Sequence, residues 1–181
     1  IQFAPQVAEK DLSFTESELR ATIAEMTALR SLCYFYLIRT FRDVPYTTTA
    51  FLSDDQVMDL PATKFDAVLD SLIQDLERVR PDAVKKYPET QPLYQTGRIT
   101  QDAIHAMLCE MYLWKKDYQN CIRYADLVID AKKKEKEEND KKANGASSAQ
   151  NKGTGIDGFP LISSSYREGG NSFGQAYYYI F

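Results

Sequence analysis

Apolar residues recur along much of the chain at three- and four-residue steps, the spacing of amphipathic α-helices. The first stretch begins at Thr15, where Thr15 and Glu18 form the sequence of a capping box. It runs to about Phe41, and Pro45 ends it because the residue before a proline is pushed out of helical geometry. The apolar stripe predicted for this helix is Leu19, Ile23, Met26, Cys33 and Leu37.

A second helix is predicted after Pro61, with Thr63 as its N-cap and Pro81 just past its end. Its acidic side is expected to face solvent, and the long connections 46–62 and 82–99 flank it. The apolar side consists of Phe65, Val68, Leu69, Leu72, Ile73, Leu76 and Val79.

Two further helices are predicted, from Thr100 to about Lys115 and from Asp117 to about 131. Because only one or two residues separate them, they form an antiparallel hairpin. The hairpin fits the tetratricopeptide pattern, in which small residues stand where two helices approach closely. The matching positions are Leu108, Cys109, Tyr112, Tyr118, Cys121, Ala125 and Val128, and the apolar side of the last helix also includes Ile122 and Ile129.

The composition changes after residue 131. Residues 132–155 are charged and then rich in Gly, Ser and Asn, which predicts a loop, although the charged part is also compatible with a longer fourth helix. Residues 156–181 are predicted to be irregular and end on an apolar run of aromatics. We therefore expect an all-α fold with tetratricopeptide-like hairpins over 15–131, long loops and an irregular C-terminal segment. We also expect 1–181 to be part of one larger domain, since neither end resembles a natural terminus.

The overall charge is close to balanced: 22 basic and 26 acidic residues give a net charge of −4. This balance carries no electrostatic signature of nucleic-acid binding and no polybasic membrane signal. No apolar run approaches the length of a membrane span.

Candidate catalytic residues are few. The single histidine, His105, has no second histidine to work with, and packing inside the helix is the better interpretation. The adjacent pairs Asp54–Asp55 and Glu137–Glu138 lack the separation that glycoside hydrolysis requires. No nucleophile elbow, Walker loop or zincin helix occurs. We therefore predict no catalytic residue, no metal and no cofactor, and a protein that is not an enzyme.

Several other side chains have both a structural and a functional interpretation. Arg39, Asp43 and Arg98 stand at predicted helix ends or turns, where capping or ion pairing is favoured over ligand contact. Aromatic rings can stack on the C–H face of a sugar, but at helical spacing they more often belong to a core. The aromatics in question are Tyr34, Phe35, Tyr36 and the tyrosines at 177–179.

The three cysteines are interpreted as small buried side chains. A disulfide between Cys109 and Cys121 is possible if their helices are antiparallel, but the sequence does not require one.

In order along the chain, these motifs resemble the SusD-like (RagB/SusD) family of nutrient-binding lipoproteins of Bacteroidetes. Family members carry a helix that ends in aromatic-Gly-Asp-Val-Pro, an acidic helix, a Gly-Arg-hydrophobic-Thr helix start and an Asp-Tyr helix start. The resemblance covers roughly residues 25–131. Its departures are Arg42, where the family usually has Gly, and Cys109 and Cys121, where it usually has Ala. The four matching segments are 29–45, 72–79, 97–113 and 117–129.

The resemblance implies a non-catalytic surface lipoprotein that captures glycans, or less often peptides. Such a protein passes its ligand to a SusC-like TonB-dependent outer-membrane transporter and is held to the membrane only by a lipid anchor upstream of Ile1. The glycan-contacting residues of the family usually lie outside this segment, so no ligand-binding residue is predicted here. The rival hypothesis is a free-standing tetratricopeptide-type adaptor that binds peptides in a groove. The residues that the third helix offers are a poor match to the carboxylate clamp of such a groove: Gln101, Asp102, His105 and Glu110.

Overall fold

The computed structural model describes residues 1–145 except 12, 54, 57, 58, 89 and 91. Several parts of the sequence analysis therefore lie outside the described residues: Asp54, the Gly- and Ser-rich residues after 145, and the segment 156–181 with its tyrosines at 177–179. The elements are α1 Ala4–Lys10, α2 Glu16–Phe41, β1 Val44–Pro45, β2 Ala62–Thr63, α3 Phe65–Val79, a 3₁₀ turn Arg80–Asp82, α4 Pro92–Gly97, α5 Gln101–Trp114 and α6 Tyr118–Gly145.

Helix α2 begins where the capping box predicts. The Glu18 N–H donates to Thr15 Oγ1 at 3.3 Å, and the Thr15 N–H donates to Glu18 Oε2 at 2.8 Å. The predicted stripe is only partly the packing face: Leu19 is buried, but Met26, Cys33 and Leu37 are exposed. The face that packs on α3 is built largely from small residues, which let two helices approach closely. Its buried members are Leu19, Ala24, Thr27, Ala28, Ser31, Phe35 and Ile38.

Helix α3 has the apolar face that its sequence predicts, and all seven predicted positions are buried. The N-cap prediction is wrong, because Lys64 rather than Thr63 precedes the first turn. Thr63 instead pairs with Val44 in the short antiparallel β1–β2 ladder. This ladder brings Asp43 to the start of α3, where its Oδ1 accepts from the Phe65 N–H at 3.0 Å. Asp43, which follows α2 by two residues, therefore caps α3 although it is distant from it along the chain.

Arg42, the departure from the family motif, has a φ of 64°. This left-handed region favours glycine, which explains why Gly suits the position. The Arg42 guanidinium lies 5.1 Å from the centroid of the Phe65 ring, a cation–π contact that favours the arginine.

Helices α5 and α6 form the predicted antiparallel hairpin. Thr100 caps α5 by accepting from the Ala103 N–H at 3.4 Å, and Asp117 accepts from the Asn120 N–H at 3.2 Å. The apolar face predicted for α6 is partly wrong, since Tyr118 and Ile122 are each 60% exposed. Tyr124, which the pattern leaves out, is fully buried.

Helix α6 also continues to Gly145, so the first part of the predicted loop 132–155 is helical, which was the alternative interpretation. Glu135 pairs with Lys132 of the same helix at 3.1 Å and with Lys86 at 3.3 Å, and the pair with Lys86 ties the extension to the rest of the chain.

The core lies along α3. This helix packs against α2 on one side and against α5 on the other, and α5 in turn pairs with α6. The all-α prediction is confirmed, because β1 and β2 have two residues each. None of the helices among the described residues is long and apolar enough to cross a bilayer.

Three carboxylates at helix starts make folding sensitive to acid. Hydrogen bonds from Lys64 and the Phe65 N–H lower the pKa of Asp43, bonds from Asn120 lower the pKa of Asp117, and bonds from Thr15 lower the pKa of Glu18. Because the folded-state pKa lies below the unfolded one, the stabilisation is complete above the ordinary values of 3.8 and 4.5. It is lost as the pH falls through the lowered values.

We therefore expect Asp43→Asn to flatten the fall of the thermal midpoint between about pH 5 and pH 3, relative to the unaltered chain. Asp66→Asn, at an exposed carboxylate in the first turn of α3, serves as the matched control. If the thermal midpoint falls equally with pH in the unaltered chain and in Asp43→Asn, the Asp43 cap does not contribute to the acid sensitivity.

Candidate functional site

A polar cluster joins α3 to the hairpin at Glu77. The Tyr112 hydroxyl donates to Glu77 Oε1 at 3.0 Å, and the Tyr124 hydroxyl donates to the same oxygen. The two tyrosine rings stack with centroids 5.7 Å apart and planes 8° apart. Burial is the main cause that raises the pKa of both tyrosines, so their hydroxyls remain protonated donors. Arg80 and Arg123 lie 3.6 Å and 3.5 Å from the Glu77 carboxylate and balance its charge.

The acidic side of α3 is thus not simply a solvated face. Asp75 pairs with Arg30 of α2 while both side chains are about four-fifths buried, and Asp70 accepts from Lys115 at 2.6 Å. These side chains, like Glu77, link α3 to its neighbours. The prediction that this face is purely solvated is therefore wrong for Asp75 and Glu77.

Arg39 ties α2 to α5. It pairs with the Glu110 carboxylate, and its guanidinium lies 4.8 Å from the ring centroids of both Phe35 and Tyr36. Together with the Asp43 cap, this placement fits the structural interpretation of these residues. The candidates do not pair with one another; each holds a partner from a different element.

Arg98 anchors the connection between α3 and α5. Its guanidinium binds both carboxylate oxygens of Glu25 on α2, and it lies 5.2 Å and 5.4 Å from the rings of Tyr87 and Tyr94. The two rings meet edge to face at 5.8 Å. Sequence reasoning placed Arg98 but missed Glu25, Tyr87 and Tyr94, because no periodic signal connects a loop to a helix more than sixty residues away.

The aromatic run on α2 divides by burial. Phe35 is 1% exposed and belongs to the core, whereas Tyr36 is 57% exposed. The Tyr34 hydroxyl donates to the Thr47 carbonyl at 3.1 Å and accepts from the Thr47 N–H at 3.2 Å. Tyr34 therefore holds the start of the 46–62 connection in place.

His105 is buried, and its ring lies 5.8 Å from that of Tyr124. Its Nδ1 is 3.7 Å from Asp102 Oδ1, too far for a hydrogen bond. Within the described ranges, no group of three or more His, Cys, Asp or Glu side chains is placed to hold a metal ion. The polar clusters of this part of the chain join helices to one another.

The surface carries one further feature, which we call the α2 outer face. It is formed by Leu29, Cys33, Tyr36, Leu37 and Phe41, which recur at three- and four-residue steps. Leu29 is 53% exposed and Phe41 is 68% exposed. A stripe of large apolar side chains on one helix is typical of a surface that another element covers.

The described residues thus define a class: an all-α scaffold of paired helices, with polar and aromatic clusters at the helix contacts. Comparisons with known proteins refine this class. No family model matches the chain. The SusD-like protein P2 of Formosa agariphila is 25% identical over 114 residues, which are 63% of this chain and 21% of that protein.

Solved structures with the same 25% sequence identity are also similar to this chain in fold, as two examples show. A SusD superfamily protein from Bacteroides thetaiotaomicron has a TM-score of 0.65 at 25% identity, over 71% of this chain and 30% of that one. The surface glycan-binding protein A from Bacteroides uniformis has a TM-score of 0.59 at 25% identity, over 71% of this chain and 28% of that one.

The chain is therefore similar, in sequence and in fold, to part of these SusD-like proteins. The chain spans between a fifth and a third of the length of these relatives.

Proposed function

We propose that this chain is the helical scaffold of a non-catalytic, SusD-like protein that captures glycans at the bacterial cell surface. The observation that carries the proposal is the joint similarity, in sequence and in fold, to SusD-like proteins and to a surface glycan-binding protein. The polar clusters support it as well, because the described groups at Glu77, Arg39 and Arg98 are all engaged in holding helices together.

The domain proposal follows from the α2 outer face. Residues 1–181 would form one part of a larger SusD-like domain, with residues 15–131 as the tetratricopeptide-like scaffold. The occupant of the α2 outer face would be the remainder of the same protein, since the relatives are more than three times as long as the region they share with this chain. On this account, the residues that contact the glycan lie mainly outside the chain.

Affinity electrophoresis of the full-length protein tests glycan capture. The native gels would contain laminarin, starch, xylan or mucin glycans, with bovine serum albumin as the non-binding control. We expect at least one polysaccharide to slow the protein relative to albumin. Migration unchanged in every gel, together with binding to a peptide C-terminus, would instead support the tetratricopeptide-type adaptor.

Delivery to the transporter is a separate part of the proposal. A SusC-like TonB-dependent transporter would be the partner, and an upstream lipid anchor would be the only attachment to the outer membrane. We expect a large β-barrel protein to co-purify with the tagged full-length protein from detergent-solubilised outer membranes. Recovery of the tagged protein in the soluble cell fraction would contradict the proposed location.

A further inference from the structure

Two cysteines face each other across the α5–α6 hairpin. Cys109 lies on α5 and Cys121 on α6, and their sulfur atoms are 3.6 Å apart. Both residues stand at positions where the tetratricopeptide pattern has small side chains. Cys33, the third cysteine, lies on the exposed side of α2.

The side chains of both cysteines are half-buried. Both cysteines pack against the edge of the core. Burial, and then the neighbouring thiol of Cys121, raise the pKa of the Cys109 thiol to about 11. A thiol with so high a pKa is a slow nucleophile near neutral pH, so the pair is suited to a structural bond rather than to catalytic exchange.

We propose that Cys109 and Cys121 are a disulfide site that covalently joins α5 to α6 when the protein is outside the reducing cytoplasm. The surface location on which this rests is the one proposed above. The oxidant is itself a disulfide, and it accepts the electrons. The two cysteine thiols lose two electrons and two protons as their S–S bond forms, and the S–S bond of the oxidant is reduced to two thiols.

The required movement is small. A disulfide has an S–S distance of about 2.05 Å, so the sulfurs must approach by roughly 1.5 Å. Rotation about the Cα–Cβ bonds and a slight closing of the hairpin supply this approach. The bond closes a short loop of the chain, and we expect it to raise the thermal midpoint by roughly 5–10 °C.

Peptide mapping of the unaltered full-length protein tests the site directly. The protein is equilibrated with oxidised glutathione, alkylated in denaturant and digested with trypsin. Cleavage after Arg98, Lys115, Lys116 and Arg123 releases Cys109 in peptide 99–115 and Cys121 in peptide 117–123. We expect these two peptides to be cross-linked and to separate on reduction, whereas peptide 31–39 carries alkylated Cys33.

Recovery of peptides 99–115 and 117–123 as separate alkylated species would overturn the proposal, and so would a link from either to Cys33. Cys33→Ala is expected to leave the cross-link intact, and Cys121→Ala to leave Cys109 free. Because the mapping is performed without glycan, its failure is distinguishable from a failure of the glycan-binding proposal.

Discussion

Replacing Tyr124 with alanine is expected to lower the free energy of unfolding by about 3–5 kcal/mol. The side chain is fully buried, it stacks on Tyr112, and its hydroxyl donates to Glu77. Its loss leaves a cavity between α5 and α6 and removes one hydrogen bond from a carboxylate that joins α3 to the hairpin. Urea unfolding of the chain, followed by circular dichroism, measures the change.

Two variants separate the contributions. Tyr124→Phe keeps the ring and removes the hydroxyl, so we expect a smaller loss of about 1–2 kcal/mol. Tyr118→Ala, on the same helix but 60% exposed, is expected to stay within about 0.5 kcal/mol. Equal losses for Tyr124→Ala and Tyr118→Ala would mean that α6 is rotated relative to the arrangement described.

Phe35→Ala is the second change with a large expected effect, again a loss of about 3–5 kcal/mol. Phe35 is 1% exposed and packs edge to face on Trp114 at 6.4 Å. Leu37 is the matched control two residues further along α2, because it belongs to the predicted stripe but is 42% exposed. In the 181-residue chain, Leu37→Ala is expected to lose less than about 1 kcal/mol.

The reverse order, with Leu37→Ala more damaging than Phe35→Ala in this chain, would contradict the packing of α2. That result would mean that α2 packs through the face that the periodic pattern predicts. Denaturant midpoints for both variants, compared at equal m-values, decide between the two faces.

Elements whose signals are local were predictable from the sequence. The α3 core positions and the caps at Thr15 and Thr100 follow from spacing and from residues within three positions of the helix start. The packing face of α2 was not predictable in this way. Ala24, Ala28 and Ser31 pack because they are small, whereas a periodicity argument gives weight to large apolar side chains.

Contacts between distant elements escaped the sequence for a different reason. Asp43 caps α3 only because the β1–β2 ladder brings it there. The hydroxyl of the buried Tyr124 donates to Glu77, more than forty residues away. The candidate residues Arg39 and Arg98 were visible as charges at helix ends. Their partners Glu110 and Glu25 depend on the tertiary arrangement, and they make both arginines structural.

The scaffold assignment is tested most directly by the alkylation rate of Cys33 in the full-length native protein. Cys33 lies on the α2 outer face, which is exposed among the described residues and is proposed to be covered by the rest of the protein. We expect its thiol to react at least about tenfold more slowly than in the urea-unfolded protein, because burial blocks access of the reagent. Reaction at the unfolded rate would contradict the account, since the α2 outer face would then be open and the helices would not be the covered scaffold of a larger SusD-like domain.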